Sequence, residues 1–216
     1  MASPAQNERL TRVGPGTPMG ELLRRYWHPF AAAAEIDDLG IKPVKLLGES
    51  LVAFRAGDGS YGLIDRQCPH RRADMAFGII EEDGLRCSYH GWCFGASGQC
   101  LEQPYEDIAN PKARFRDKIR TKAYPVEEKA GLLWAYMGPG PAPLVPNWEP
   151  FTWENGFRQV VYADVPCNWF QCQENSLDPV HFEWMHRNWT SRLSGDGSYG
   201  PKHLELKFDE FEFGHI

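Results

Sequence analysis

A chain of 216 residues is long enough to bury a core in one large or two modest domains, so size permits an enzyme. With 42% hydrophobic and 24% charged residues the composition is that of a globular protein and excludes wholesale disorder. The formal charge of -6 argues against a protein whose main partner is a nucleic-acid backbone. No apolar run approaches the roughly 20 residues of a membrane span, and the opening MASPAQNERLTRVGPG has no apolar signal region. A cytoplasmic protein is expected, with no membrane and no nucleic acid among its partners. Six cysteines without a secretion signal then read as metal ligands or free thiols.

In chain order, the first element is a short helix. Thr17 is its N-cap, Pro18 its first residue and Glu21 a carboxylate near its positive end. From Ile41 to about Met137 the pattern turns to β-like runs, VKLLG, LVAFRA, YGLIDR, GLRCSYH and GLLWAYMG, divided by Gly, Asp, Ser and Pro. The stretch from Gly138 to Pro146, GPGPAPLVP, continues neither helix nor strand, and a boundary is placed there. Beyond it FRQVVYADVPCNWFQ reads as a strand. Gln171 to Trp189 reads as helix, restarted by an Asp178 N-cap and Pro179. From His203 the chain alternates as a half-buried strand with no closing partner, so the second domain is expected to continue past Ile216. The resulting division is a helical lead over 1–40, a β domain over 41–140, a Pro/Gly linker over 141–150 and an incomplete second domain over 151–216.

Cys68-Pro-His70 and Cys87-Ser-Tyr-His90 each offer one thiolate and one imidazole. Two sulfide-bridged irons need four protein ligands, and each arm spans such a cluster if the thiolates hold one iron and the imidazoles the other. Neutral imidazoles leave less negative charge on the cluster than thiolates, which raises its potential. A Cys2His2 zinc site uses the same residue types, although zinc fingers order a Cys pair before a His pair. Cys93 and Cys100 are read as free thiols, with a disulfide between them as the alternative. Cys167 and Cys172 are read as core residues.

Downstream, ENSLDPVHFEWMH contains D-x-x-H-x4-H. Two His and a carboxylate are the ingredients of a non-haem Fe(II) site with positions open for dioxygen. On an ideal helix His181 and His186 stand about 140° apart, so a bend or π-bulge is expected between them. Asp178 shares the face of His181 and is placed to hydrogen-bond that ring's outer N–H. Arg187 and Arg192 are candidates to meet an aromatic carboxylate, with solvated surface arginine as the alternative.

The runs CPHRRADMAFG and LRCSYHGWCFGASGQC resemble the Rieske domains of bacterial aromatic-ring oxygenases over about residues 40–140, with Cys93 where Lys is more usual. ENSLDPVHFEWMH resembles the mononuclear-iron motif of the Rieske non-haem iron oxygenase α subunits. The N-terminal VGPGTPMGELLRRYWHPF points to their phthalate dioxygenase-like branch. The resemblance implies an α+β chain: an all-β Rieske domain, an antiparallel β-sandwich with two cluster-binding loops, followed by the first part of an α+β helix-grip catalytic domain. It implies Cys68, His70, Cys87 and His90 on a Rieske 2Fe-2S cluster, and His181 and His186 on a mononuclear Fe(II). Asp178 becomes the electron and proton bridge to a neighbouring subunit's cluster, and Asn175 a residue near the iron. The third ligand, an Asp, lies far downstream in the family. Glu205, Asp209, Glu210 and Glu212 do not match it, so a fragment or truncated chain, weak in iron binding and turnover, is expected. The implied partners are an NAD(P)H-dependent flavin and iron-sulfur reductase, dioxygen, an aromatic, carboxylated substrate, and further copies in a homotrimer or hexamer. The rival function is a Rieske ferredoxin-like electron carrier.

Overall fold

The computed structural model describes residues 3–197, 200, 205–212 and 214–215. They fall into two compact units, Met1–Tyr162 and Ala163–Ile216.

Three antiparallel sheets build the first unit. The middle sheet orders Ile41–Leu46, Glu49–Arg55, Tyr61–Asp65 and Ala123–Tyr124. One flanking sheet orders Trp27–Ala32, Leu132–Tyr136 and Val126–Lys129. The other orders Ile79–Ile80, Leu85–Arg86, Cys93–Phe94 and Cys100–Glu102.

The unbroken apolar run LVAF follows from the middle sheet's position, because a strand covered on both faces has no solvent side to make polar. Leu51, Ala53 and Leu63 pack with Ala31, Ile36, Leu133 and Ala135. Val52, Phe54 and Ile64 point the other way, against Met75, Leu85, Phe94, Cys68 and Cys87. Two-residue turns close two of the hairpins. Leu47 and Gly48 have φ of 44° and 79°, and Ala130 and Gly131 have 58° and 78°. Positive φ at both positions matches the right-handed twist of the strands they join.

The helix Pro18–Leu23 starts as its sequence indicates: Thr17 Oγ1 accepts from Gly20 N at 3.2 Å, and Glu21 Oε1 from Gly16 N at 2.8 Å. A second helix, Pro4–Thr11, precedes it. The lead is not helical throughout, since Trp27–Ala32 is a strand paired with Leu132–Tyr136. Nor is 141–150 a free linker. Trp27 Nε1 donates to Pro143 O at 2.8 Å, Val145 is buried with Trp27, Trp134 and Tyr136, and Trp148 and Phe151 pack on Trp134. Pro and Gly stopped regular structure there without stopping burial, so the division falls after Tyr162.

Residues 156–166, which run from the end of the first unit into the second, form no strand, having no ladder partner among the described residues. Helix Trp169–Ser176 is followed by Pro179–His181, a π-helical stretch Phe182–Asn188 and helix Trp189–Ser194. The expected terminal strand is reduced to a hairpin of Glu210–Phe211 with Gly214–His215, residues 205–209 being irregular and Leu204 outside the described residues. No helix among the described residues is long and apolar enough to cross a membrane.

One ion network ties the end of the helix Pro18–Leu23 to the middle sheet. Glu49 accepts from Arg24 Nη2 at 2.8 Å, Lys122 Nζ at 2.6 Å and Tyr124 Oη at 2.8 Å, with the Arg24 and Glu49 side chains each 7% exposed. Removing one member of a buried pair strands the other charge. Glu49→Ala is expected to cost about 3–5 kcal/mol in urea unfolding, and the double change Arg24→Met/Glu49→Leu markedly less.

Candidate metal centres

The two Cys/His segments fold into matching loops. In the first, Cys68 N donates to Ala73 O at 2.9 Å and Arg72 N to Cys68 O at 2.8 Å. In the second, Cys87 N donates to Trp92 O at 2.8 Å and Gly91 N to Cys87 O at 3.0 Å. The residue four past each cysteine turns through positive φ, 58° at Arg72 and 76° at Gly91. An arginine anchors each neck. Arg66 grips Asp74 with Nε at 3.0 Å from both carboxylate oxygens and Nη2 at 2.7 Å from Oδ2. Arg86 bonds the carboxylates of Glu81 and Glu102, and donates to Gly91 O at 2.8 Å.

The donors sort by type. Cys68 and Cys87 are 2% and 3% exposed and belong to one buried cluster on the inner side of the loops. His70 is exposed and His90 half-exposed, with ring centroids 4.6 Å apart. Trp92 lies flat on His70 at 4.5 Å and 8°, fixing the plane of that ring. Burial pushes the Cys68 thiol up to about 11, opposed by the His70 amide and reinforced by Cys87. A metal must therefore displace protons to bind there. Burial, then the neighbouring His90 and Arg71, holds His70 below its ordinary value and favours the neutral imidazole that ligates metals.

Among the described residues, no three His, Cys, Asp or Glu gather as one metal ion requires. A single tetrahedral zinc, with its four donors on one point, fits this arrangement poorly. An inner thiol pair and an outer imidazole pair fit a two-iron cluster that takes two donors per iron.

In the second unit Asp178 caps the helix Pro179–His181, its Oδ1 accepting from Val180 N at 2.9 Å and His181 N at 3.3 Å. The π-helical turn that the five-residue spacing calls for is present from Phe182 to Asn188, and brings the His181 and His186 rings to 5.3 Å. His181 Nδ1 bonds the Asp178 main-chain oxygen at 2.5 Å, whereas the Asp178 carboxylate stays 3.7 Å away. The backbone, and not the carboxylate as the sequence indicates, thus orients this ring. His181 Nε2 is buried and has no hydrogen-bond partner, which suits a metal ligand. Asn175 is exposed on the last turn of its helix, where its carbonyl accepts from Asp178 N at 3.3 Å. Arg192 lines an apolar hollow with Trp184, Met185, Asn188 and Trp189, and Arg187 is half-buried. Cys93 and Cys100 are buried free thiols; Cys167 and Cys172 are exposed, contrary to their reading as core, since Cys167 precedes and Cys172 lies on a helix that carries no buried residue.

Sequence reasoning passed over Asn188, which is 1% exposed. Its Nδ2 donates to Glu183 O at 3.1 Å, and its Oδ1 accepts from Gly200 N at 2.5 Å. The missed signal was a polar residue on the buried side of the π-helical stretch, where carbonyls lose their ordinary helical donors.

The Rieske [2Fe-2S] domain family matches residues 26–120, beginning at the strand Trp27–Ala32. The chain is 63% identical over 215 residues to the 5,5'-dehydrodivanillate O-demethylase oxygenase subunit of Sphingobium sp., covering 99% of this chain and 51% of that protein. The chain belongs to the Rieske oxygenases. Other Rieske oxygenase relatives are the 3-chlorobenzoate-3,4-dioxygenase oxygenase subunit of Comamonas testosteroni, at 42% identity over 86% of this chain and 43% of that one, and the phthalate 4,5-dioxygenase oxygenase subunit of Pseudomonas putida, at 38% over 86% and 42%. The chain spans about half the length of these curated relatives.

Two supports of this Rieske oxygenase chain can be tested. Arg66 holds the Asp74 carboxyl below its ordinary 3.8, so the pair's contribution is full above that value and lost as pH falls through the depressed one. Asp74 also caps the turn Met75–Phe77. Asp74→Ala is expected to cost about 1–2 kcal/mol at neutral pH, with the deficit shrinking in acid, measured by denaturation across pH. Asn188→Ala removes the side-chain bonds to Glu183 O and from Gly200 N. A loss of about 1–3 kcal/mol is expected, with faster amide exchange across Phe182–Asn188.

Proposed function

We propose that the chain works as the oxygenase component of a two-part system that O-demethylates a methoxylated, carboxylated aromatic compound. The observation that carries this is the 63% identity along nearly the whole chain to a dehydrodivanillate O-demethylase subunit, against 42% and 38% for the two dioxygenase subunits. A Rieske cluster supplies single electrons and a mononuclear Fe(II) activates dioxygen.

Cys68 and Cys87 hold the inner side of the cluster, while His70 and His90 offer their exposed rims to an electron-transfer partner. That partner is an NAD(P)H-dependent flavin and iron-sulfur reductase. His181 and His186 provide two donors to the mononuclear iron, with a carboxylate from the length that the relatives possess beyond this chain as the third. Asp178, half-exposed beside His181, bridges to the cluster of a neighbouring copy in a trimeric cytoplasmic assembly. Overall, an aryl methyl ether, dioxygen, two electrons and two protons give a phenol, formaldehyde and water. The protein's part is to orient the ether and keep the site dry.

The test is turnover of the complete polypeptide with reductase, NADH and a methoxylated biaryl dicarboxylate, reading formaldehyde release and iron content. Formaldehyde and about three irons per chain are expected. Changing His181 or His186 to Ala should lower iron to about two and abolish formaldehyde while leaving the reduced Rieske spin signal. Two irons in the unaltered protein, with electron transfer but no formaldehyde, would instead identify a ferredoxin-like carrier.

A further inference from the structure

We propose that Cys167 and Cys172 form a reversible redox staple, which a peroxide closes into a disulfide that pins the start of the helix Trp169–Ser176. The two sulfurs lie 3.8 Å apart, in contact. Both residues are exposed, whereas Cys68, Cys87, Cys93 and Cys100 are buried.

Their placement follows from helix geometry. Asn168 is the N-cap, its Oδ1 accepting from Phe170 N at 3.0 Å, so Cys167 stands just before the cap and Cys172 at the fourth helical position. These are the two places where apolar side chains meet as a hydrophobic staple and fix the angle at which the chain enters the helix. Thiols suit that packing, being small and apolar. They also add a covalent option that a Leu or Val pair lacks, since sulfurs already in contact form a bond by side-chain rotation.

The chemistry balances with hydrogen peroxide as oxidant. One thiol sulfur attacks the O–O bond, giving a sulfenic acid and water. The second sulfur displaces the sulfenic hydroxyl as another water, and the S–S bond forms. Each sulfur gives up one electron, both thiol protons end in water, and a small-molecule dithiol reverses the reaction. A reducing compartment keeps the pair open, so it responds to episodes of oxidation. The helix so pinned ends directly before Leu177 and the Asp178 cap, and the staple therefore bears on the segment that carries His181. This inference concerns the cysteine pair alone and stands independently of the proposed reaction.

The cluster-bearing protein is treated with hydrogen peroxide, alkylated, digested and mapped by mass spectrometry before and after dithiothreitol. Cys167 and Cys172 should lose alkylation together, in a peptide lacking two thiol hydrogens, and regain it on reduction. Cys167→Ser and Cys172→Ser should each abolish that species. Amide exchange across Trp169–Ser176 should slow in the oxidised protein and stay unchanged in the peroxide-treated variants. Full alkylation after peroxide, separate oxidation of each sulfur to sulfinic acid, or a bond to another cysteine would overturn the proposal. A disulfide without slower exchange would overturn the pinning.

Discussion

Burial of the strand Glu49–Arg55 on both faces is the constraint around which the first unit is arranged. Ordinarily a one-residue slip exposes a strand's apolar set and is rejected for that reason. Here alternate residues are apolar on both sides, so polarity alone does not specify the register. It is specified instead by volume, with Phe54 committed to the core behind the metal loops and Ala53 to the other. The tight turn at Leu47-Gly48 and the ion network on Glu49 hold the same alignment from the strand's first residue. Because Cys68, Cys87 and Met75 belong to the Phe54 core, the floor of the proposed cluster site and the wall of that core are one set of contacts. Assembling the metal centre and consolidating the fold are thereby coupled.

The sites were more legible than the architecture. Ligation depends on residue type and short spacing, which sequence displays directly, so Cys68, His70, Cys87 and His90 stood out and fell together on two loops. The spacing of His181 and His186 carried a conflict with ideal helix geometry, and the conflict itself forecast the π-helical turn. Caps at Thr17 and Asp178 were equally local. The strand Trp27–Ala32 was not legible, because Pro29 and a run of alanines conceal it and its partner is Leu132–Tyr136. It tolerates Pro29 as an edge strand with a register shift next to it. The segment after Gly138 misled for a related reason: a Pro/Gly stretch reports the absence of regular structure, while burial on Trp27 and Trp134 is decided by distant aromatics. The apolar alternation near Val160 demanded a partner strand that the described residues do not supply.

Support for the sites was the least legible layer. Trp92 on His70, Arg66 on Asp74 and Asn188 on the Glu183 carbonyl each join residues whose types are common and whose spacing follows no motif. Such groups become visible only when a fold places them, yet they set the angles at which the recognisable ligands stand.

The two cysteine loops turn through the same left-handed position, but only one does so with glycine. At Gly91 the conformation is free of side-chain strain, whereas Arg72 adopts φ 58° and anchors its Nε on Gln67 Oε1 at 2.8 Å. A non-glycine residue in that region costs on the order of 1 kcal/mol. The first loop therefore gives up some stability at a position whose side chain is fixed on Gln67. Glycine at position 72 would relax the backbone and give up the side-chain bond to Gln67. Two otherwise matching loops thus differ in how their turn is held, the first by a strained arginine tied through its side chain and the second by an unstrained glycine whose carbonyl accepts from Arg86.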